Sequence, residues 1–180
     1  DDGNLDLCVG AENINLPTLF LGDGSGNFLE ILLEDNGSVS NPEAYLAGDV
    51  DGDGLLDLVT ASQNDNKLAW FKQKPELVSD LENPFEDQQV INKPASRVND
   101  LVAADLDGDG KDDLLTTEGS SGRVAWYKNN LPEAFGEHEV LLDLNEGLAG
   151  LDAGDIDGDG TMDIVVSNVQ DSSVVLYYNQ

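Results

Sequence analysis

One short motif recurs along this chain, and it constrains the fold more than any other feature of the sequence. Its three complete copies align without gaps: GDVDGDGLLDLVTAS from Gly48, ADLDGDGKDDLLTTE from Ala104 and GDIDGDGTMDIVVSN from Gly154. The opening segment DGNLDLCVGA from Asp2 matches the second half of the same motif. Because self-similarity at a fixed spacing is typical of repeat architectures, each copy predicts one structural unit. We predict units at residues 1–43, 44–99, 100–147 and 148–180 of a single domain.

A second recurring block follows each motif and predicts a strand. It reads KLAWFKQ from Lys67, RVAWYKN from Arg123 and VVLYYNQ from Val174, and TLFLGDG from Thr18 takes its place in the first unit. Short runs rich in β-branched and aromatic residues, bounded by Gly, Asn, Asp and Ser, are typical of strands. The runs that enter the motif, leave it and precede the next copy complete four strands per unit. A tandem antiparallel unit of about 50 residues predicts an all-β fold of β-propeller blades.

The motif itself, D-x-D-x-D-G-x-x-D, predicts a calcium site. Calcium takes six to eight oxygen ligands at about 2.3–2.6 Å, and alternate carboxylates on a tight loop can all turn toward one ion. The glycine at the sixth place permits the backbone reversal that turns the next carbonyl toward the same ion. The predicted ligands are the side chains at places one, three, five and nine and the carbonyl at place seven: Asp49, Asp51, Asp53, Leu55 and Asp57; Asp105, Asp107, Asp109, Lys111 and Asp113; Asp155, Asp157, Asp159, Thr161 and Asp163.

Two neighbouring interpretations of the motif were weighed against calcium blades. An EF-hand shares the first six places but needs a glutamate at the twelfth, where Thr60, Thr116 and Val166 stand inside strand-like runs. Turns made by Asp and Gly alone explain one copy but not three aligned ones. We therefore predict three full calcium sites, and a fourth, partial site at Asp2, Asn4 and Asp6.

The charge balance excludes several classes of partner. The chain has 37 Asp and Glu against 8 Lys and Arg, for a formal net charge of −29. Such a surface repels nucleic acid and anionic membranes, so we expect neither as a partner. The acidity fits either bound cations or a solvated acidic surface. His138 and Cys8 are the only residues of their types, which argues against zinc or thiolate sites and against enzymes that need paired histidines.

These loops and aromatic strands resemble the FG-GAP and VCBS-type repeats, the calcium-bearing blades of integrin alpha-subunit propellers and of secreted bacterial repeat proteins. The resemblance implies that calcium is structural and that the loop joins the first two strands of a blade. It also implies that these blades are a partial or permuted propeller, part of a seven-bladed ring. LAGD, VAAD and DAGD stand where the integrin-like form has Phe-Gly and Gly-Ala-Pro. The chain is therefore more similar to the bacterial and marine VCBS-like branch, and integrin ligand recognition is not carried over.

The leading functional expectation is a non-catalytic module for extracellular interaction, adhesion or assembly. Its partner would be a protein or glycan at the cell surface, further copies of itself, or the rest of a longer chain. The sequence predicts three, four, four and three strands in the successive units, so the rest of a longer chain would complete the first and last blades. The alternative is an accessory or catalytic propeller domain of a larger secreted carbohydrate-active enzyme. Loops of this type suit millimolar calcium, which predicts a secreted or cell-surface protein.

Two further features of the sequence have competing explanations. Tyr45, Trp70, Trp126 and Tyr127 suit either sugar stacking or packing between blades, and their equivalent places in successive repeats favour packing. Asn36-Gly37-Ser38 matches the N-glycosylation sequence, although a chance match in a turn explains it better.

Overall fold

The computed structural model describes residues 3–9, 18–32, 42–63, 65–75, 84–92 and 97–180, and within these ranges the chain forms strands, turns and bends but no helix. Asp2 and Asn36 lie outside the described residues. The strands are β1 (Leu7–Val9), β2 (Thr18–Gly22), β3 (Phe28–Leu32), β4 (Pro42–Gly48), β5 (Asp57–Ser62), β6 (Lys67–Phe71), β7 (Gln89–Asn92), β8 (Val98–Ala104), β9 (Asp113–Glu118), β10 (Arg123–Tyr127), β11 (Glu139–Asp143), β12 (Leu148–Gly154), β13 (Asp163–Asn168) and β14 (Ser173–Tyr177).

These strands form four antiparallel sheets in which consecutive strands are neighbours. We call them blade 1 (β1–β3), blade 2 (β4–β7), blade 3 (β8–β11) and blade 4 (β12–β14). Blades 2 and 3 have four strands, and blades 1 and 4 have three within the described residues. Tandem up-and-down sheets of this size are the units of a β-propeller. The predicted fold class is therefore confirmed.

The motif occupies the same place in the last three blades. It connects the first strand to the second, and the pairs that close the connection are Gly48 with Asp57, Ala104 with Asp113 and Gly154 with Asp163. All three first strands also carry a register irregularity near their N-terminal ends, which shows that the blades share backbone detail as well as topology.

Burial differs between the strands of one blade, and the difference explains the sequence pattern. Every residue of β5, β6 and β9 is buried, whereas no residue of β7 or β11 is fully buried. A middle strand that is covered on both faces reads as a continuous apolar run, while a strand covered on one face alternates. This is why DLVTAS and KLAWF lack the polar alternation of an exposed strand.

The hydrophobic cores lie between neighbouring blades. One cluster joins Trp70 and Val59 of blade 2 to Leu114 and Tyr127 of blade 3. Trp126 packs against the cluster that joins blade 3 to blade 4, and Tyr45 packs with Cys8 of blade 1 against a cluster of blade 2.

The aromatic residues that recur in the repeats thus fill the space between blades. Trp70 is only 4% exposed and cannot offer its ring face to a sugar. Cys8 is half-buried there, and burial raises the pKa of its thiol to about 11.

The first strands of successive blades lie closest to one another. β8 contacts both β4 and β12, so the loops that follow these strands come together at one end of the molecule. The part of the chain that the structure describes has no helix long and apolar enough to cross a bilayer.

Candidate metal centre

The three complete motifs form loops of the same backbone shape, which we call loop 2 (residues 49–57), loop 3 (105–113) and loop 4 (155–163). The glycines at places four and six have φ between 75° and 93° in all three loops. A Cβ built on these glycines would meet no neighbouring atom, so backbone conformation rather than space requires glycine there. The motif predicted the backbone reversal at the sixth place but not the one at the fourth.

The ninth aspartate is the buried anchor of each loop. Asp57 is 1% exposed, and Asp113 and Asp163 are fully buried. In each case Oδ1 accepts a hydrogen bond from a backbone N–H that lies sixteen residues further along the chain, from Gln73 at 2.8 Å, Asn129 at 2.7 Å and Asn179 at 3.0 Å. Burial raises the pKa of Asp57 and Asp113, and the amide hydrogen bonds oppose that rise.

The other oxygen of the ninth aspartate is held as well. Oδ2 accepts the N–H of Val50 at 3.3 Å in loop 2 and that of Ile156 at 2.9 Å in loop 4, and in loop 3 it accepts the indole N–H of Trp126 at 2.9 Å. Hydrogen bonds to both oxygens satisfy a carboxylate that has been removed from water. The ninth aspartate therefore ties its loop to the blade.

The first and fifth aspartates shape the loop around its centre. The first accepts the N–H of the glycine at place six, with distances of 2.9, 2.9 and 3.1 Å in loops 2, 3 and 4. The fifth accepts the N–H of place seven, which is Leu55, Lys111 or Thr161, at 2.9, 3.0 and 2.8 Å. These bonds wind the backbone so that alternate carboxylates converge.

The convergence produces a cluster of three carboxylates in each loop. One carboxylate oxygen from each residue lies within 4.8 Å of the corresponding oxygens of the other two, for Asp49, Asp51 and Asp53, for Asp105, Asp107 and Asp109, and for Asp155, Asp157 and Asp163. The structure thus brings together three of the four predicted side chains in each loop. Asp57 and Asp113 stay outside their clusters, as does Asp159 of loop 4.

The donor set suits a hard cation. Every clustered atom is a carboxylate oxygen, which matches calcium or magnesium and not zinc or copper. Loops 2 and 3 also hold a cation of the chain's own within the acidic cluster, a lysine ammonium, and this stand-in indicates that a positive charge fits there. Within the described part of the chain, three acidic clusters could hold a metal ion.

The lysine ammoniums in loops 2 and 3 were not predicted from the motif. Lys72 Nζ contacts Asp51 Oδ2 and lies 2.8 Å from Asp53 Oδ2. In loop 3 Lys128 Nζ contacts Asp107 Oδ2 and lies 3.1 Å from Asp109 Oδ2. Hydrogen bonds from these lysines hold the pKa of Asp53 and of Asp109 below the ordinary value of an aspartate. The sequence feature that could have indicated these contacts is the lysine that KLAWFKQ and RVAWYKN share at their sixth place.

Among the described residues, no lysine reaches loop 4. Tyr178 stands at the place of Lys72 and Lys128, directly before the residue whose N–H holds the ninth aspartate. The hydroxyl of Thr161 instead donates to Asp159 Oδ1 at 2.7 Å and lowers the pKa of that carboxyl. Loop 4 therefore keeps the shape of the other loops but lacks their internal positive charge.

The truncated first motif keeps part of the same geometry. Asp6 Oδ1 accepts the N–H of Gly22 at 2.9 Å, which reproduces the bond to the ninth aspartate at the same spacing of sixteen residues. Gly3 has a φ of 80°, like the glycine at place six of the other loops. Asp6 is nevertheless exposed, and Asp2 lies outside the described residues, so the predicted fourth site stays a prediction.

An asparagine connects each of the last two loops to the loop before it. Asn129 Nδ2 donates to Val50 O of loop 2 at 2.8 Å and to Asp112 O of its own loop at 2.9 Å. Asn179 Nδ2 donates to Leu106 O of loop 3 at 2.8 Å. The same asparagine backbone holds the ninth aspartate, so each loop is coupled to its neighbour through one residue.

The single histidine lies away from the loops. His138 Nε2 is 3.3 Å from Glu118 Oε1, and its ring centroid is 5.7 Å from that of Tyr127. Glu118 is the last residue of β9, at the opposite end of that strand from loop 3. The imidazole and the loop carboxylates therefore do not form a common site.

Comparison with the solved structure of a lectin supports the fold. A lectin of Agrocybe aegerita, described for specific recognition of non-reducing terminal N-acetylglucosamine, is 18% identical with a TM-score of 0.54, over 92% of this chain and 47% of that one. The V. cholerae biofilm matrix protein Bap1 is 16% identical with a TM-score of 0.40, over 95% of this chain and 36% of that one. This chain thus spans about half or less of the length of either protein. None of the curated proteins matches it.

The family match rests on the same loops. The profile of the FG-GAP-like repeat matches residues 1–60, 49–116 and 105–166, and its second and third segments begin at Asp49 and Asp105, the first aspartates of loops 2 and 3. The match does not distinguish a VCBS-like branch within the family. The three segments together cover most of the sequence, and the chain belongs to the FG-GAP-like repeat family.

Proposed function

We propose that this chain is a non-catalytic, calcium-binding module of β-propeller blades. Loops 2, 3 and 4 would each hold one calcium ion with the carboxylates at places one, three, five and nine and the carbonyl at place seven. The observation that carries the proposal is the repetition of one all-oxygen cluster at the same blade position three times. A solvated acidic surface has no reason to place its carboxylates so regularly.

Calcium would act structurally in this module. The ninth aspartate of loop 3 joins that loop to the backbone of Asn129, just after the third strand, and the side chain of Asn129 joins it to loop 2. An ion that neutralises the clustered carboxylates would stabilise this connected end of the blades by mass action. Without the ion, like charges close together oppose the folded loop.

The proposed setting is outside the cell, as a secreted or cell-surface protein. Weak calcium sites stay filled at millimolar concentrations and not at cytosolic ones. The partner would be a protein or a glycan. Since the Agrocybe aegerita lectin shares the fold, terminal N-acetylglucosamine is the first glycan to offer to this chain, with and without calcium.

A calorimetric titration tests the calcium role. Protein stripped with a chelator and dialysed should bind three calcium ions per chain, and magnesium at the same concentration should bind more weakly because it keeps its own water. The variant Asp155→Asn/Asp157→Asn, with loop 4 disabled, should bind one ion fewer. No binding at millimolar calcium would overturn the proposal.

A further inference from the structure

We propose that Lys72 and Lys128 are built-in counter-cations that calcium must displace, so that loop 4 fills before loops 2 and 3. This inference rests on the calcium role proposed above and concerns its regulation. It makes the three loops unequal although their motif is the same. The chain would then respond to calcium in two steps instead of one.

The position of the lysines supports displacement. Each ammonium contacts the carboxylates at places three and five of its own loop, which are two of the predicted calcium ligands. The Lys72 side chain is 24% exposed, and that of its partner Asp51 is 14% exposed. An ion and an ammonium cannot share the same oxygen atoms at close range, since the two positive charges repel each other.

The backbone makes the lysine position specific. The residue after each lysine, Gln73 or Asn129, donates its N–H to the buried ninth aspartate of the loop. This bond fixes where the lysine leaves the third strand. The two ammoniums therefore reach equivalent carboxylates from equivalent places, which two chance surface contacts would not do.

Loop 4 provides the internal comparison. Asn179 donates to Asp163 in the same way, so the backbone before it follows the same course, but the preceding residue is Tyr178. Here the ninth aspartate joins the cluster with Asp155 and Asp157, which it does not do in loops 2 and 3. Within the described residues, loop 4 thus offers three clustered carboxylates without a lysine ammonium among them. It should attract calcium most strongly.

Removing and installing the lysine tests the inference by calorimetry with calcium alone. Wild-type protein should show one tight site and two weaker ones. Lys72→Met with Lys128→Met should tighten the weaker sites by about tenfold, because calcium would then no longer have to displace an ammonium from two of its carboxylate ligands. Tyr178→Lys should weaken the tight site by a similar factor.

The matched control is Arg123→Met. It removes one positive charge at the far end of β10, the strand that Lys128 directly follows, where Arg123 pairs with Asp143. Screening over that distance should leave calcium affinity unchanged. Circular dichroism verifies that each variant folds. If Tyr178→Lys does not fold, the double variant Lys72→Met/Lys128→Met decides the question alone.

The outcomes separate the two proposals. Three equal sites in the wild type, or an unchanged isotherm in the lysine pair, would overturn the counter-cation role while calcium binding stands. No calcium binding in the wild type or in any variant would overturn both. One tight and two weak sites that merge into a single class in the lysine pair would support the inference.

Discussion

Loop 3 and loop 4 share a motif and a backbone but differ in how their charge is balanced. Both wind around a first aspartate and both anchor a buried ninth aspartate on an asparagine N–H. Loop 3 contains the ammonium of Lys128, whereas loop 4 contains only the hydroxyl of Thr161. The comparison teaches that the motif sets the shape of the loop, while a residue outside the motif sets its electrostatics.

The largest expected effect is that of calcium removal, and it should be uneven. Each site filled at a hundred times its dissociation constant contributes about 2.7 kcal/mol, so stripping the chain should lower its unfolding midpoint clearly. Hydrogen exchange should show the greatest calcium-dependent loss of protection in β12 and β13, because loop 4 has no counter-charge. Equal losses in β8 and β9 would break the comparison between the two loops.

The next effect is that of removing the anchor, and here the two loops should agree. Asp113→Ala and Asp163→Ala each leave buried N–H groups without an acceptor, which costs about 2–4 kcal/mol of unfolding free energy in calcium-free buffer. Asp57→Ala should behave in the same way. The exposed neighbour Asp112→Ala is the control and should stay within about 0.5 kcal/mol of the wild type. An unchanged denaturation midpoint for the anchor variants would show that these aspartates do not hold the loops.

The asparagines after the third strand should differ modestly. Asn129 is buried and its amide makes two hydrogen bonds to backbone carbonyls, so Asn129→Ala should cost about 2 kcal/mol. Asn179 is half-buried and its amide makes one such bond, so Asn179→Ala should cost about 1 kcal/mol. Chemical denaturation beside the exposed control Asn130→Ala measures both. The reverse order would contradict the proposed coupling between loops.

The smallest effect concerns the fifth aspartate in calcium-free buffer. Asp109→Asn removes a partner of Lys128 and should lower the melting temperature slightly. Asp159→Asn keeps an oxygen that can accept from Thr161 and relieves repulsion in a loop without a cation, so its melting temperature should stay or rise. A lower melting temperature for Asp109→Asn, with an unchanged or higher one for Asp159→Asn, would sharpen the comparison between the two loops. A change in the same direction for both variants would weaken it.

The sequence predicted the repeated parts of this molecule well, because each repeats one physical requirement. Aspartates at fixed places must converge, glycine must take positive φ, and β-branched and aromatic runs must form buried strands. The fold class followed from these signals alone. The clustering of Asp49, Asp51 and Asp53 also followed from the motif.

The features that the sequence did not predict depend on which strands pair and in what register. Lys128 reaches loop 3 because Tyr127 pairs with Leu114, the residue after the ninth aspartate. Lys128 lies fifteen positions after Asp113 in the sequence, and this pairing brings it back to loop 3. The burial of Asp113, with hydrogen bonds to both oxygens, likewise depends on β10 lying beside β9. The spacing of residues within the motif therefore predicts neither the lysine contact nor the burial of Asp113.

A crystal structure in millimolar calcium, with anomalous scattering to identify the ion, tests the central claim most directly. The account predicts one calcium ion in each of loops 2, 3 and 4, at about 2.3–2.6 Å from the loop carboxylates, with the ammoniums of Lys72 and Lys128 moved out of their clusters. Loops without an anomalous peak, with both ammoniums still on their aspartates, would contradict it.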